Sequence, residues 1–106
     1  MEKIIALENE RFKWSLETFP EATALSSLNK LRSEAQEIEN DIIDGVRRPE
    51  EYADALMCLF DSAGRQGIGA GEIIDWFEKK LKTNKSRTWT KNEDNSYSHI
   101  KNTSNN

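Results

Sequence analysis

Residues 28–60 read LNKLRSEAQEIENDIIDGVRRPEEYADALMCLF, and the fold follows from this stretch. Leu28, Leu31, Ala35, Ile38 and Ile42 recur at steps of three or four, continuing a stripe that starts at Leu25. That period predicts an amphipathic helix over residues 22–43. Asp44-Gly45 ends it, since glycine takes the left-handed cap without strain. Pro49-Glu50-Glu51 opens a second helix. Proline suits a first turn, where a missing N–H is harmless, and carboxylates there complement the helix dipole. From Tyr52 to Phe60 this second helix is apolar almost all round, interrupted only by Asp54. A helix apolar on every side is expected at the centre of its domain.

Each of these helices carries an acidic pair, Glu34-x-x-Glu37 and Glu51-x-x-Asp54. Residues three apart share a helix face, so each pair sets two carboxylates side by side on one turn. For Glu34 and Glu37 alone a solvated face is a sufficient account. Asp54 is different, because a lone carboxylate among apolar neighbours is costly unless it is paired or bound to a metal. Four carboxylates facing one another would repel, and a divalent cation removes that conflict. An all-oxygen set with no His or Cys points to magnesium or manganese. Asp61 lies seven residues beyond Asp54 on the same face, as a further metal ligand or an anchor for the others, with a plain helix-surface acid an equal alternative.

The rest of the chain supports a compact all-α design. At 106 residues it makes one domain, with 36% apolar and 32% charged residues and only two prolines. The net charge of −4 argues against general nucleic-acid binding, yet the charge is uneven. Six basic residues and no acidic one lie between Lys79 and Lys91, so the remainder carries about −10. No apolar run approaches the roughly 20 residues of a membrane span, and no signal peptide is evident, so no membrane association is expected. The single Cys58 cannot form an internal disulfide and reads as a small core residue of a cytoplasmic protein.

Residues 3–17 predict a first helix through Ile4, Leu7, Phe12 and Leu16, stopped near Thr18 because the residue before Pro20 avoids the helical region. Phe12 reads as core, while Trp14 and Phe19, at the helix end and bend, read as a pocket wall. The glycine-rich run Gly64 to Gly71 lacks the Gly-Lys-Ser/Thr of a phosphate loop and reads as a turn, with Arg65 a weak candidate for a phosphate contact. Ile73, Ile74, Trp76, Phe77 and Leu81 predict a last helix over 71–86. The domain is expected over residues 1–90. Residues 91–106, rich in Asn and Ser and containing the lone His99, predict a disordered tail.

The two acidic pairs, their separation and the basic close together resemble the MazG-like, all-α nucleoside triphosphate pyrophosphohydrolases. That family carries Glu-x-x-Glu, a gap, then Glu-x-x-Asp, here Glu34, Glu37, Glu51 and Asp54. The closing Lys82, Asn84, Lys85, Arg87 and Trp89 are similar to the family as well. The resemblance spans roughly residues 10–90. The stretch Trp14 to Phe19 and the run Met57 to Arg65 look like the phage and bacterial branch associated with dATP and dGTP hydrolysis. Ser33 stands where many members carry a further glutamate.

The resemblance implies a four-helix bundle that oligomerises through its helices as a homodimer or homotetramer. It implies a dNTP, with a purine favoured, cleaved to a monophosphate and pyrophosphate with Mg2+ or Mn2+. Glu34, Glu37, Glu51 and Asp54 would hold metal, with Asp61 a further candidate from its spacing alone, and Glu34 or Glu37 would act on the attacking water. Lys82, Asn84, Lys85 and Arg87 would bind phosphates, and Trp14, Phe19 and Trp89 would enclose the base. Two rival classes are a non-catalytic helical interaction or regulatory module, and a nucleic-acid binder using the Lys79–Lys91 segment.

Overall fold

The structure, a computed structural model, describes residues 2–101. Four helices follow in order: α1 (Glu2–Thr18), α2 (Ala24–Asp44), α3 (Pro49–Gly64) and α4 (Ala70–Ser86), then a hairpin of β1 (Trp89–Lys91) and β2 (Tyr97–His99). The chain forms two compact units, one ending at Ile74 and the other beginning at Asp75.

In the first unit the local signals act where the sequence puts them. Thr23 caps α2: its Oγ1 accepts from Ser26 N at 3.0 Å, and Ser26 Oγ accepts from Thr23 N at 2.8 Å. A reciprocal cap of this kind is worth about 1 kcal/mol. Gly45 closes α2 at φ +71°, and Val46 N donates back to Asp41 O at 2.8 Å. Pro49 opens α3. Gly64 closes it where a side chain has no room, since an added Cβ would lie 2.6 Å from the Phe12 ring. That contact joins α1 to the end of α3.

Helix α3 packs against both α1 and α2, as a central helix should, but only part of its apolar surface is covered. Phe60 and Ala70 are the buried apolar residues among those described. Tyr52, Leu56 and Leu59, at helical steps along α3, are 58%, 44% and 49% exposed. A helix apolar all round is therefore half-clad in the single chain.

In the second unit, β1 and β2 pair antiparallel with Thr90 opposite Ser98. Disorder is expected from residue 91, yet residues through His99 are ordered into this hairpin. Composition misleads here because the Asn, Asp and Ser residues bond the turn itself. Asn95 takes φ +71°, Asp94 Oδ1 accepts from Ser96 N at 3.0 Å, and Asn92 N donates to Ser96 O at 2.7 Å. Residues 102–106 of the expected tail lie outside the described residues.

Candidate active site

Helix α2 presents Glu34 and Glu37 one turn apart, and the first turn of α3 brings Glu51 against them. One carboxylate oxygen from each of the three lies within 4.8 Å of the others. Glu34 is buried, Glu51 half-buried and Glu37 exposed. Glu34 Oε1 is 3.4 Å from Lys30 Nζ, while its Oε2 is buried with no hydrogen-bond partner. Desolvation, then repulsion from Glu37, Glu34, Asp54 and Asp41, pushes the Glu51 carboxyl above its ordinary range. An orphaned buried oxygen amid mutually repelling carboxylates fits a divalent cation, and the all-oxygen donors fit a hard one.

The burial expected of Asp54 falls instead on Glu34. Asp54 is exposed, as are its neighbours Leu56 and Met57, and it lies outside the three-carboxylate group. The reason is the uncovered side of α3: apolar neighbours along a helix bury a carboxylate only when another element covers them. Asp54 does line the same cavity as Glu34.

That cavity, about 510 Å³, runs between α1, α2 and α3. Glu34 and Asp54 contribute to its lining, as do Trp14 and Phe19, with Met57 and Cys58. The Trp14 and Phe19 rings meet edge to face, centroids 5.4 Å apart at 87°. Burial, ahead of repulsion from Glu34, pushes the Cys58 thiol up, in keeping with an inert packing residue.

Asp61 also lines the cavity but is not free to bind metal. Its Oδ1 accepts from Ser15 Oγ at 2.7 Å and Arg11 at 3.1 Å. Its Oδ2 accepts from Ser27 Oγ at 2.6 Å and Arg65 Nε at 2.7 Å. Those four donors fill the four lone-pair positions of a carboxylate. Burial opposes ionisation, but the bonds from Ser27, Ser15, Arg65 and Arg11 outweigh it and hold the carboxyl far below its usual range. Asp61 thus stands as an anchor, one of the three readings its spacing allows, with both oxygens engaged by protein donors. Arg65 is engaged with it: its guanidinium is consumed by Asp61 and by backbone carbonyls of the α1–α2 turn, not open to a phosphate. Ser15 and Ser27 were missed by sequence reasoning, because a serine on a helix face signals nothing until its partner is known.

The second unit holds the other expected residues. Lys82 and Lys85 are exposed near the end of α4, and Asn84 and Arg87 are half-buried. Arg87 donates to Asn84 Oδ1 at 3.1 Å, and Trp89 Nε1 donates to Asn84 O at 3.0 Å. Asn84 thereby ties the helix end to β1, and the Trp89 ring stands edge-on to His99 at 6.0 Å.

A sequence model of the family described as dATP/dGTP pyrophosphohydrolase matches residues 7–106. Among solved structures, the chain is similar to a cyanophage S-2L MazG-like pyrophosphohydrolase bound to dGDP and three catalytic Mn2+ ions per active site. The TM-score is 0.73 and the identity 26%, over 91% of this chain and 95% of that one. No curated protein sequence matches.

Proposed function

The chain belongs to the dATP/dGTP pyrophosphohydrolase family, and on that premise we propose that it hydrolyses a purine deoxynucleoside triphosphate between the α and β phosphates. The products are the monophosphate and pyrophosphate. The observation that carries this reading is Glu34, buried with one orphaned oxygen, grouped with Glu37 and Glu51 beside an aromatic-walled cavity. A dGDP and Mn2+ complex of the cyanophage protein is consistent with it.

Glu34, Glu37 and Glu51, with Asp54 on the adjoining cavity, would hold Mg2+ or Mn2+. A cation there supplies positive charge to the phosphate oxygens and acidifies the attacking water. Glu34 or Glu37 orients that water and takes its proton. Trp14 and Phe19 flank the purine, and Trp89 of the second unit is suited to stacking on a base. In the second unit Lys82, Lys85 and Arg87 are suited to phosphate charge, with Asn84 a neutral donor.

A second copy of the chain covers the Tyr52-Leu56-Leu59 stripe. A self-complementary apolar stripe suits a two-fold interface, giving a homodimer or, by repetition, a homotetramer. No helix of the described residues is long and apolar enough to cross a membrane, and the unpaired Cys58 fits a reducing cytoplasm.

The experiment is a panel of dNTPs and NTPs with Mg2+ or Mn2+, with separation of the products. Pyrophosphate release from dATP or dGTP is expected. Orthophosphate release would contradict the cleavage position. Glu37→Gln and Asp54→Asn should each abolish most activity while keeping helical circular dichroism, and full activity in both rejects the site.

A further inference from the structure

We propose that Arg65 is a positioning residue for the nucleotide base: by pinning the turn between α1 and α2, it sets where the Trp14–Phe19 wall stands relative to the carboxylates of α2 and α3. The inference rests on the proposed reading that this wall flanks the base.

Arg65 directly follows α3, and its side chain is 7% exposed. Its Nε is fixed on Asp61 Oδ2 at 2.7 Å. The two remaining nitrogens reach across to the end of α1. One donates to Ala22 O at 2.7 Å, and the other to Ser15 Oγ at 3.1 Å, Phe19 O at 3.2 Å and Ser15 O at 3.4 Å. One guanidinium thus grips both ends of the Phe19–Ala22 turn.

Within that turn Ala22 N donates to Phe19 O at 3.2 Å and Phe19 N to Ser15 O at 2.8 Å, and Arg65 adds the bonds that tie it to another helix. Pro20 has no N–H to give. Helix α1 has no basic residue in its last turn to satisfy its terminal carbonyls, a role that Arg65 fills from another helix. Phe19 and Trp14 pack edge to face on each other but are 49% and 55% exposed, so the placing of the pair follows largely from the backbone that carries it. Arg65 grips that backbone from the end of α3, the helix that carries Glu51 and Asp54.

The chemistry of the network points the same way. A buried set of two arginines and two carboxylates, here Arg11, Arg65, Glu8 and Asp61, is no more stabilising than well-packed apolar residues would be. What it adds is geometry. A guanidinium fork can hold a carboxylate on one edge and carbonyls on the other, which a lysine ammonium cannot.

The test compares Arg65→Lys, Phe19→Ala and the double variant, using dGTP and dATP with Mn2+. Arg65→Lys keeps the charge facing Asp61, and Arg65→Gln serves as a second variant that keeps a donor. Mn2+ affinity by calorimetry, with the protein alone, is expected to stay within about twofold. KM is expected to rise roughly tenfold with either purine while kcat falls less, the pattern of a displaced binding element. Adding Phe19→Ala to Arg65→Lys should raise KM little further, because both act through one wall. Unchanged KM in the Arg65 variants, with only a lower melting temperature, overturns the inference, as do independent, multiplying effects in the double variant. An unchanged KM in Phe19→Ala overturns the base-wall reading itself, and the inference with it.

Discussion

Lys30 Nζ sits 3.4 Å from Glu34 Oε1, and Oε2 of the same carboxylate meets no donor at all. Lys30 is itself 65% exposed, so water screens the pair and it contributes little. The carboxylate is left half-neutralised inside the helical pair α2–α3, an arrangement that favours binding a cation over folding alone.

Replacing that charge separates the two effects. Glu34→Gln should lower dNTP hydrolysis on the order of 100-fold or more, because it removes a metal-ligand charge and a group that directs the attacking water. Without metal it should melt no lower than the parent, since a buried charge with one unsatisfied oxygen has been removed. Activity assays and thermal melts in EDTA check both halves.

Metal should also stabilise the folded chain. Ligand at about 100 times its Kd adds about 2.7 kcal/mol, and in a domain this small that corresponds to a rise on the order of 10 °C in Tm. Scanning calorimetry with Mn2+ should show the rise, EDTA should reverse it, and Glu51→Gln should blunt it.

The Asp61 anchor sets a different pH dependence. Its carboxyl is held below its ordinary value of 3.8, so its stabilisation is complete above that value and is lost as pH falls towards the depressed folded-state value. At pH 7 Asp61→Asn should cost about 3–5 kcal/mol, the range for breaking a buried pair. The gap between parent and variant should narrow below pH 3.8. Urea melts of both proteins at pH 7 and pH 3 measure it, and an equal gap at both values refutes the anchor.

The exposed stripe on α3 makes the assembly testable. Leu56→Asp places a charge in its middle, between Tyr52 and Leu59, and should convert the proposed dimer to a monomer by light scattering after size exclusion. A parent already monomeric at assay concentration would refute the second copy.

Much of this was legible in one dimension. Helix period, Pro49 and Gly45 are local features, and each acts within a few residues of itself, so all four helices follow from the chain text. The pairing of Glu34 with Glu37, and the bend that carries Trp14 and Phe19, are local in the same way. The strand pair after α4 was not legible, because the same Asn and Ser residues serve a disordered tail or a bonded turn, and only the Asn92–Ser96 closure selects between them.

Sequence by itself determined the helices, the acidic turns and the kinds of residue available for metal and nucleotide. Only the tertiary structure decided which carboxylate is buried, moving that role from Asp54 to Glu34, and which is spent, closing Asp61 with donors from Ser15, Ser27, Arg11 and Arg65. The physical reason is that burial and hydrogen-bond saturation belong to the space between elements. A residue's neighbours along the chain fix its helix face, but its neighbours across the gap fix its charge.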